Sequence, residues 1–125
     1  MVASTVGAVS ALEHLTAGDV MHREFPTLSP SATIADLRAY FAADDARRLA
    51  LVVEGKRFIG SISRAEVPAD GDGGRTVIGL VRRDPLAWVF DSAKSVRDKA
   101  LAHPSRRVPV IDGTGGLAGI FLLPV

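Results

Sequence analysis

The chain carries one succession of apolar and polar positions twice. Leu49-Ala50-Leu51-Val52-Val53 is a continuous apolar run, followed by a polar turn and then Phe58-Ile59-Gly60-Ser61-Ile62. Val108-Pro109-Val110-Ile111 repeats the run, followed by Gly113-Thr114-Gly115-Gly116 and then Leu117-Ala118-Gly119-Ile120-Phe121. An Arg pair precedes each run, and the two blocks align without a gap from Arg47/Arg106 to Gly60/Gly119. Unbroken apolar runs of this kind predict strands covered on both faces, and the turns between them predict hairpins. A unit this small does not bury its own apolar face, so the pattern predicts two units packed on each other.

Upstream of the first hairpin, Phe25-Pro26-Thr27-Leu28 reads as a short extended piece, because Pro26 pushes Phe25 out of helical space. Thr33-Ile34-Ala35-Asp36 then opens a helix, with Thr33 as N-cap and an acidic third position facing the free amides. Ile34, Leu37 and Phe41 form its apolar stripe, and the helix should fade near Asp44-Asp45. In the second unit Leu86–Phe90 is the short strand and Ser95-Val96-Arg97-Asp98 repeats the cap. The helix that follows should be about three residues shorter than its counterpart and end at His103, which Pro104 holds out of helical space. Ser63-Arg64-Ala65-Glu66 reads as a further capping box, opening a short helix cut off near Pro68. Asp70–Gly74 is a linker, and Thr76–Val81 is either an added strand or part of the junction. The expected core holds Leu37, Phe41, Leu51, Val52, Ile62, Val110, Ile111 and Phe121, with Trp88 also inside between apolar neighbours. Strand–helix–strand–strand, written twice, predicts an α/β fold in which helices cover one face of each sheet.

Composition narrows the function more than the fold. With 125 residues, 47% hydrophobic and 23% charged, the chain is one globular domain. A net charge of +1 offers no electrostatic reason for a nucleic acid or an anionic membrane surface as partner. No cysteine is present, which excludes disulfides and thiolate chemistry and suits a cytoplasmic protein. The apolar stretch Met1–Leu12 lacks a basic start and reads as a tail or a short docking helix rather than a signal peptide. His14, His22 and His103 show no metal-ligand spacing, so no metal site is expected. No nucleophile with a partner base and no facing carboxylate pair occurs, so the chain is not expected to be an enzyme.

With Asp19-Val20-Met21 at the entry, Thr27-Leu28-Ser29-Pro30 before the first helix and Arg107-Val108-Pro109-Val110-Ile111-Asp112 in the second repeat, the chain resembles a tandem pair of CBS domains, or Bateman module, of the stand-alone kind. Gly60-Ser61-Ile62-Ser63-Arg64-Ala65-Glu66 is similar to the family's closing pattern, with Glu66 in place of the usual Asp. The resemblance implies a tail over residues 1–14, a first repeat over 15–69, a linker over 70–75 and a degenerate, truncated second repeat over 76–125. It implies two pseudo-symmetric repeats (strand-helix-strand-strand) packed as an intramolecular pair, with two clefts between them. It also implies a regulatory ligand, AMP, ADP, ATP or S-adenosylmethionine, with no cofactor required. Carried over residue by residue, the ligand-binding positions are Thr27, Leu49, Ala50, Ser63 and Glu66, with Ala50 departing from the family's common Pro. In the second repeat Val89, Leu122 and Val125 stand at the positions of Thr27, Ser63 and Glu66, so that cleft should be unable to hold a ribose. The expected protein is a ligand-sensing homodimer that signals to an effector protein. The alternative is a dimerising interaction module that has lost its ligand.

Overall fold

The computed structural model describes residues 14–123. Residues 1–13 of the predicted tail, and Val125, lie outside them. The first unit contains the one-turn helix α1 (Ala17–Val20), helix α2 (Ile34–Ala42) and the hairpin β1 (Leu49–Glu54) and β2 (Arg57–Ser63). The second contains β3 (Ala87–Trp88), helix α3 (Ala93–Ala102) and the hairpin β4 (Arg107–Ile111) and β5 (Leu117–Leu122). β3 runs parallel to β4, and a single parallel rung between Leu28 and Val52 is its counterpart in the first unit. Short 3-10 turns lie at Arg64–Glu66 and Val77–Leu80.

The predicted cap of α2 forms in full. The Thr33 hydroxyl accepts from the Asp36 amide and the Asp36 carboxylate accepts from the Thr33 amide. Ile34, Leu37 and Phe41 are its buried stripe. α3 differs from expectation. Its N-cap is Ser92, whose hydroxyl accepts from the Ser95 amide, so the helix begins three residues earlier than the Ser95 pattern suggests. It is ten residues long against nine for α2, and the second unit is therefore not shortened there. It ends where predicted, with His103 as the extended residue before Pro104.

The gapless alignment of the hairpins also needs correction. Val52 faces Gly60 across the first, whereas Val110 faces Gly119 across the second, so Val52 corresponds to Val110. The second turn is one residue longer, and the counterpart of Pro109 is Leu51 rather than Ala50. Side-chain direction agrees, since successive strand residues point to opposite faces. Ala50 and Val52 pack toward Leu37 and Phe41, and Val108 and Val110 pack with Val96 and Ala100. Leu49, Leu51 and Phe58 meet Ile111 and Ile120 in a third cluster between the units.

The two units exchange their entry segments. Ala17 and Gly18 donate to the carbonyls of Asp91 and Val89, and His22 pairs with Ile120 of β5, all in the second unit. Val77 donates to Ala32, and Arg82 pairs with Ser61 of β2, in the first. Thr76–Val81 is thus neither an added strand nor a plain junction but the counterpart of α1. Ala17 fills the core of the second unit and Val77 that of the first. Gly60 and Gly119 make the exchange sterically feasible. A Cβ on Gly60 would sit 2.6 Å from the Arg82 carbonyl oxygen, and one on Gly119 would sit 2.7 Å from that of His22.

Of the expected core, Leu37, Phe41, Leu51, Val52, Ile62, Val110 and Ile111 are buried, and Phe121 is partly buried against the second cluster. Trp88 is not core: alternation along β3 turns it outward, where it stacks on Phe90 at 5.8 Å. The linker is held down, as Arg38 donates to the carbonyls of Pro68 and Asp70 and Ala35 donates to that of Gly73. No helix among the described residues is long and apolar enough to cross a membrane.

Candidate functional site

Packing the two hairpins face to face leaves two clefts. The first, about 320 Å³, has Phe25, Leu49 and Leu51 on one wall and Ile120 and Leu122 on the other, with Arg107 at its mouth. The second, about 360 Å³, lies between Ser63, Arg64 and Ala65 of the first unit and Pro104 and Ser105 of the second. Arg48 borders both. Each cleft therefore draws on both repeats. Ser63 pairs with Leu49 at the end of the first hairpin, as Leu122 pairs with Arg107 at the end of the second. Leu122 thus gives the first cleft an apolar wall where Ser63 gives the second a hydroxyl.

The model of the CBS domain family matches residues 17–68. No curated protein matches the chain by sequence. Solved structures similar to it include the CBS pair domain of a putative Mg2+ transporter from Shewanella oneidensis MR-1, with TM-score 0.72 and 20% identity over 96% of this chain and 72% of that one. The CBS-pair protein CBSX2 from Arabidopsis thaliana gives a TM-score of 0.73 and 20% identity over 86% and 88%. The CBS domain of a bacterial CNNM/CorC family Mg2+ transporter, in complex with ATP, gives 0.75 and 19% identity over 94% and 87%. The chain has the fold of a CBS pair.

This CBS pair does not gather the five sequence-derived positions in one cleft. Leu49 lines the first and Ser63 the second. Ala50 is fully buried between β1 and α2. Thr27 is exposed and lines neither cleft. Glu66 stands beside the second cleft, where its carboxylate accepts from Arg82 Nε at 2.6 Å. In the second repeat the hydrogen-bond register makes Ala87 the counterpart of Leu28, so Leu86, rather than Val89, corresponds to Thr27. Both are apolar, and the lack of a hydroxyl stands.

The Ser63–Glu66 capping box does not form. Ser63 precedes only a three-residue 3-10 turn and makes no side-chain cap bond. Arg82, delivered by the exchanged segment, holds the Glu66 carboxylate instead. The Ser63 hydroxyl consequently has no protein partner among the described residues.

The arginines around the clefts divide into committed and uncommitted groups. Arg64 donates to the carbonyls of Phe41, Asp44 and Arg47 and lies over the Phe41 ring. Arg47 donates to Tyr40 and covers its ring at 4.4 Å. Arg107 reaches the Leu123 carbonyl at 3.1 Å. Burial lowers the pKa of its guanidinium, and the nearby charge of Arg48 lowers it further. Arg48 itself makes no side-chain hydrogen bond or ion pair among the described residues. Ser105 is fixed, its hydroxyl 2.7 Å from His103 Nδ1 and 3.3 Å from the Arg107 carbonyl. The Arg pairs are visible in the sequence, but only the structure shows which guanidiniums the protein itself occupies.

Proposed function

We propose that this CBS pair is a regulatory module that binds an adenosine-containing nucleotide in the Ser63 cleft, works as a homodimer and passes the binding to an effector protein. The observation that carries the reading is the convergence of the Ser63 hydroxyl and the Arg48 guanidinium, neither with a protein partner, on one cleft. A donor–acceptor hydroxyl beside a guanidinium that the cleft's one carboxylate, Asp45, does not pair with suits a phosphate ester, because charge-assisted bonds are the strong ones. The cleft volume lies at the lower end of small-molecule sites, which run from roughly 300 to 1,000 Å³. A similar CBS domain has been solved with ATP, which supports the ligand class. Glu66 joins the site only by exchanging Arg82 for a ribose diol. Leu49 faces the other cleft and Thr27 and Ala50 face neither, so Ser63 and Arg48 are the contacts on which the reading rests. It assigns no catalytic step.

The test is a thermal-unfolding screen against AMP, ADP, ATP, NAD and S-adenosylmethionine. A ligand of the native state stabilises by mass action, about 2.7 kcal/mol at a hundred times its Kd. At least one adenine compound should raise Tm, and Ser63→Ala should remove most of the rise. No shift with any of them at millimolar concentration would favour the interaction module without a ligand.

A further inference from the structure

The first cleft differs from the second in kind. Leu49, Leu51 and Ile120 on its walls are at most 7% exposed, and Phe25 and Leu122 complete an apolar floor. With Leu122 in Ser63's place, a sugar lodged against the floor would lack that hydroxyl partner, and each buried hydroxyl left unpaired costs roughly 1–3 kcal/mol. The mouth, by contrast, is cationic. Arg48 and Arg107 both border it, and no carboxylate among the described residues pairs with either. Of the acidic groups nearby, Asp44 accepts from the Ala46 amide, while Glu24 is exposed. Arg47, the third guanidinium, is spent on Tyr40, whereas Arg107 commits only Nη1, to the Arg106 and Leu123 carbonyls, and keeps the rest of its fork. An apolar floor under two like charges fits a ligand with an alkyl body and one anionic end, whose two acceptor oxygens match a guanidinium fork.

We propose that the first cleft binds a medium-chain alkyl carboxylate, its chain on Leu49, Leu51, Ile120 and Leu122 and its head group between Arg48 and Arg107. The volume of about 320 Å³ sets a short chain rather than a long one. Occupation would also quiet the repulsion between Arg48 and Arg107, which gives the ligand a means of drawing the two repeats together.

Isothermal titration of the full chain with octanoate, butanoate and octanol tests this. Octanoate should bind with a negative heat-capacity change, the mark of apolar burial. Butanoate should bind more weakly, by roughly fourfold per buried methylene lost, and neutral octanol should lose the contribution of the head group. Arg48→Gln should weaken octanoate tenfold or more. Since Arg48 makes no internal bond and repels Arg107, the variant should unfold at or above the wild-type temperature, so weaker binding cannot be put down to a failure to fold. Ser63→Ala should leave octanoate binding unchanged while weakening a nucleotide, so failure here and failure of the nucleotide reading are separable. The proposal is overturned by absence of heat at millimolar octanoate, by equal affinity for butanoate, by unchanged binding in Arg48→Gln, or by loss of octanoate binding in Ser63→Ala.

Discussion

Gly60 shows how one residue can hold a long-range contact. It lies in β2 where the exchanged segment crosses, and an added Cβ would meet Val81 Cγ1 at 2.3 Å as well as the Arg82 backbone. A side-chain end can move, but a paired backbone cannot, so Gly60→Ala should cost about 1–3 kcal/mol, as overpacking does. In a urea titration this appears as a lowered midpoint with an unchanged slope. A wild-type midpoint would mean that the crossing strand gives way freely. Gly60 and Gly119 are legible in the sequence as matching marks of a repeat. The reason for them is not, because the backbone that crowds each glycine belongs to the entry of the other repeat. Ser63 is a similar case. Its spacing to Glu66 suggests a cap, and only the distant Arg82 shows that Glu66 is engaged elsewhere.

Among the elements, local signals were reliable where the partner was local. The α2 cap could be read because Thr33 and Asp36 satisfy each other within one turn. Ser92 was hidden because Ser95 also begins a plausible pattern, and α3 has no acidic residue in its first turn to mark the true start. The one-residue slip in β4 came from a turn whose length the apolar pattern does not record. The cap also makes a pH prediction. Asp36 has its pKa lowered from the ordinary 3.8, first by the Thr33 amide and then by the Thr33 hydroxyl. A carboxylate with a depressed folded pKa stabilises above its unfolded value and loses that stabilisation as pH falls through the folded one. Wild type should therefore lose stability on acidification below about 3.8 more steeply than Asp36→Asn, in thermal unfolding followed across that range. Parallel acid limbs in the two proteins would remove Asp36 from the account.

For the whole molecule, the exchange of entry segments binds the two repeats into one body and builds each cleft from both. The family resemblance announced the pair and its two clefts. It did not announce that Leu49 and Ser63 would stand in different ones, since that follows from the face-to-face packing of the hairpins. The surface also carries Phe90 at 67% and Trp88 at 38% exposure, stacked on each other where the first repeat has Ser29 and Ser31. Exposed apolar patches mark association sites. If this pair lies in the proposed homodimer contact, light scattering at micromolar concentration should give about twice 13.2 kDa for wild type and the single mass for Phe90→Glu. A monomer mass for wild type would contradict the dimer.

Two unlike clefts, with the nucleotide confined to the Ser63 side, are the centre of the account, and calorimetric titration with ATP tests it most directly. Hydrogen bonds to charged groups contribute roughly 1.5–3 kcal/mol, and 1.4 kcal/mol is about tenfold in Kd. The account predicts one site per chain, weakened about tenfold or more by Ser63→Ala with folding stability within about 0.5 kcal/mol of wild type. Two equivalent sites per chain, or one site indifferent to Ser63→Ala, would contradict it.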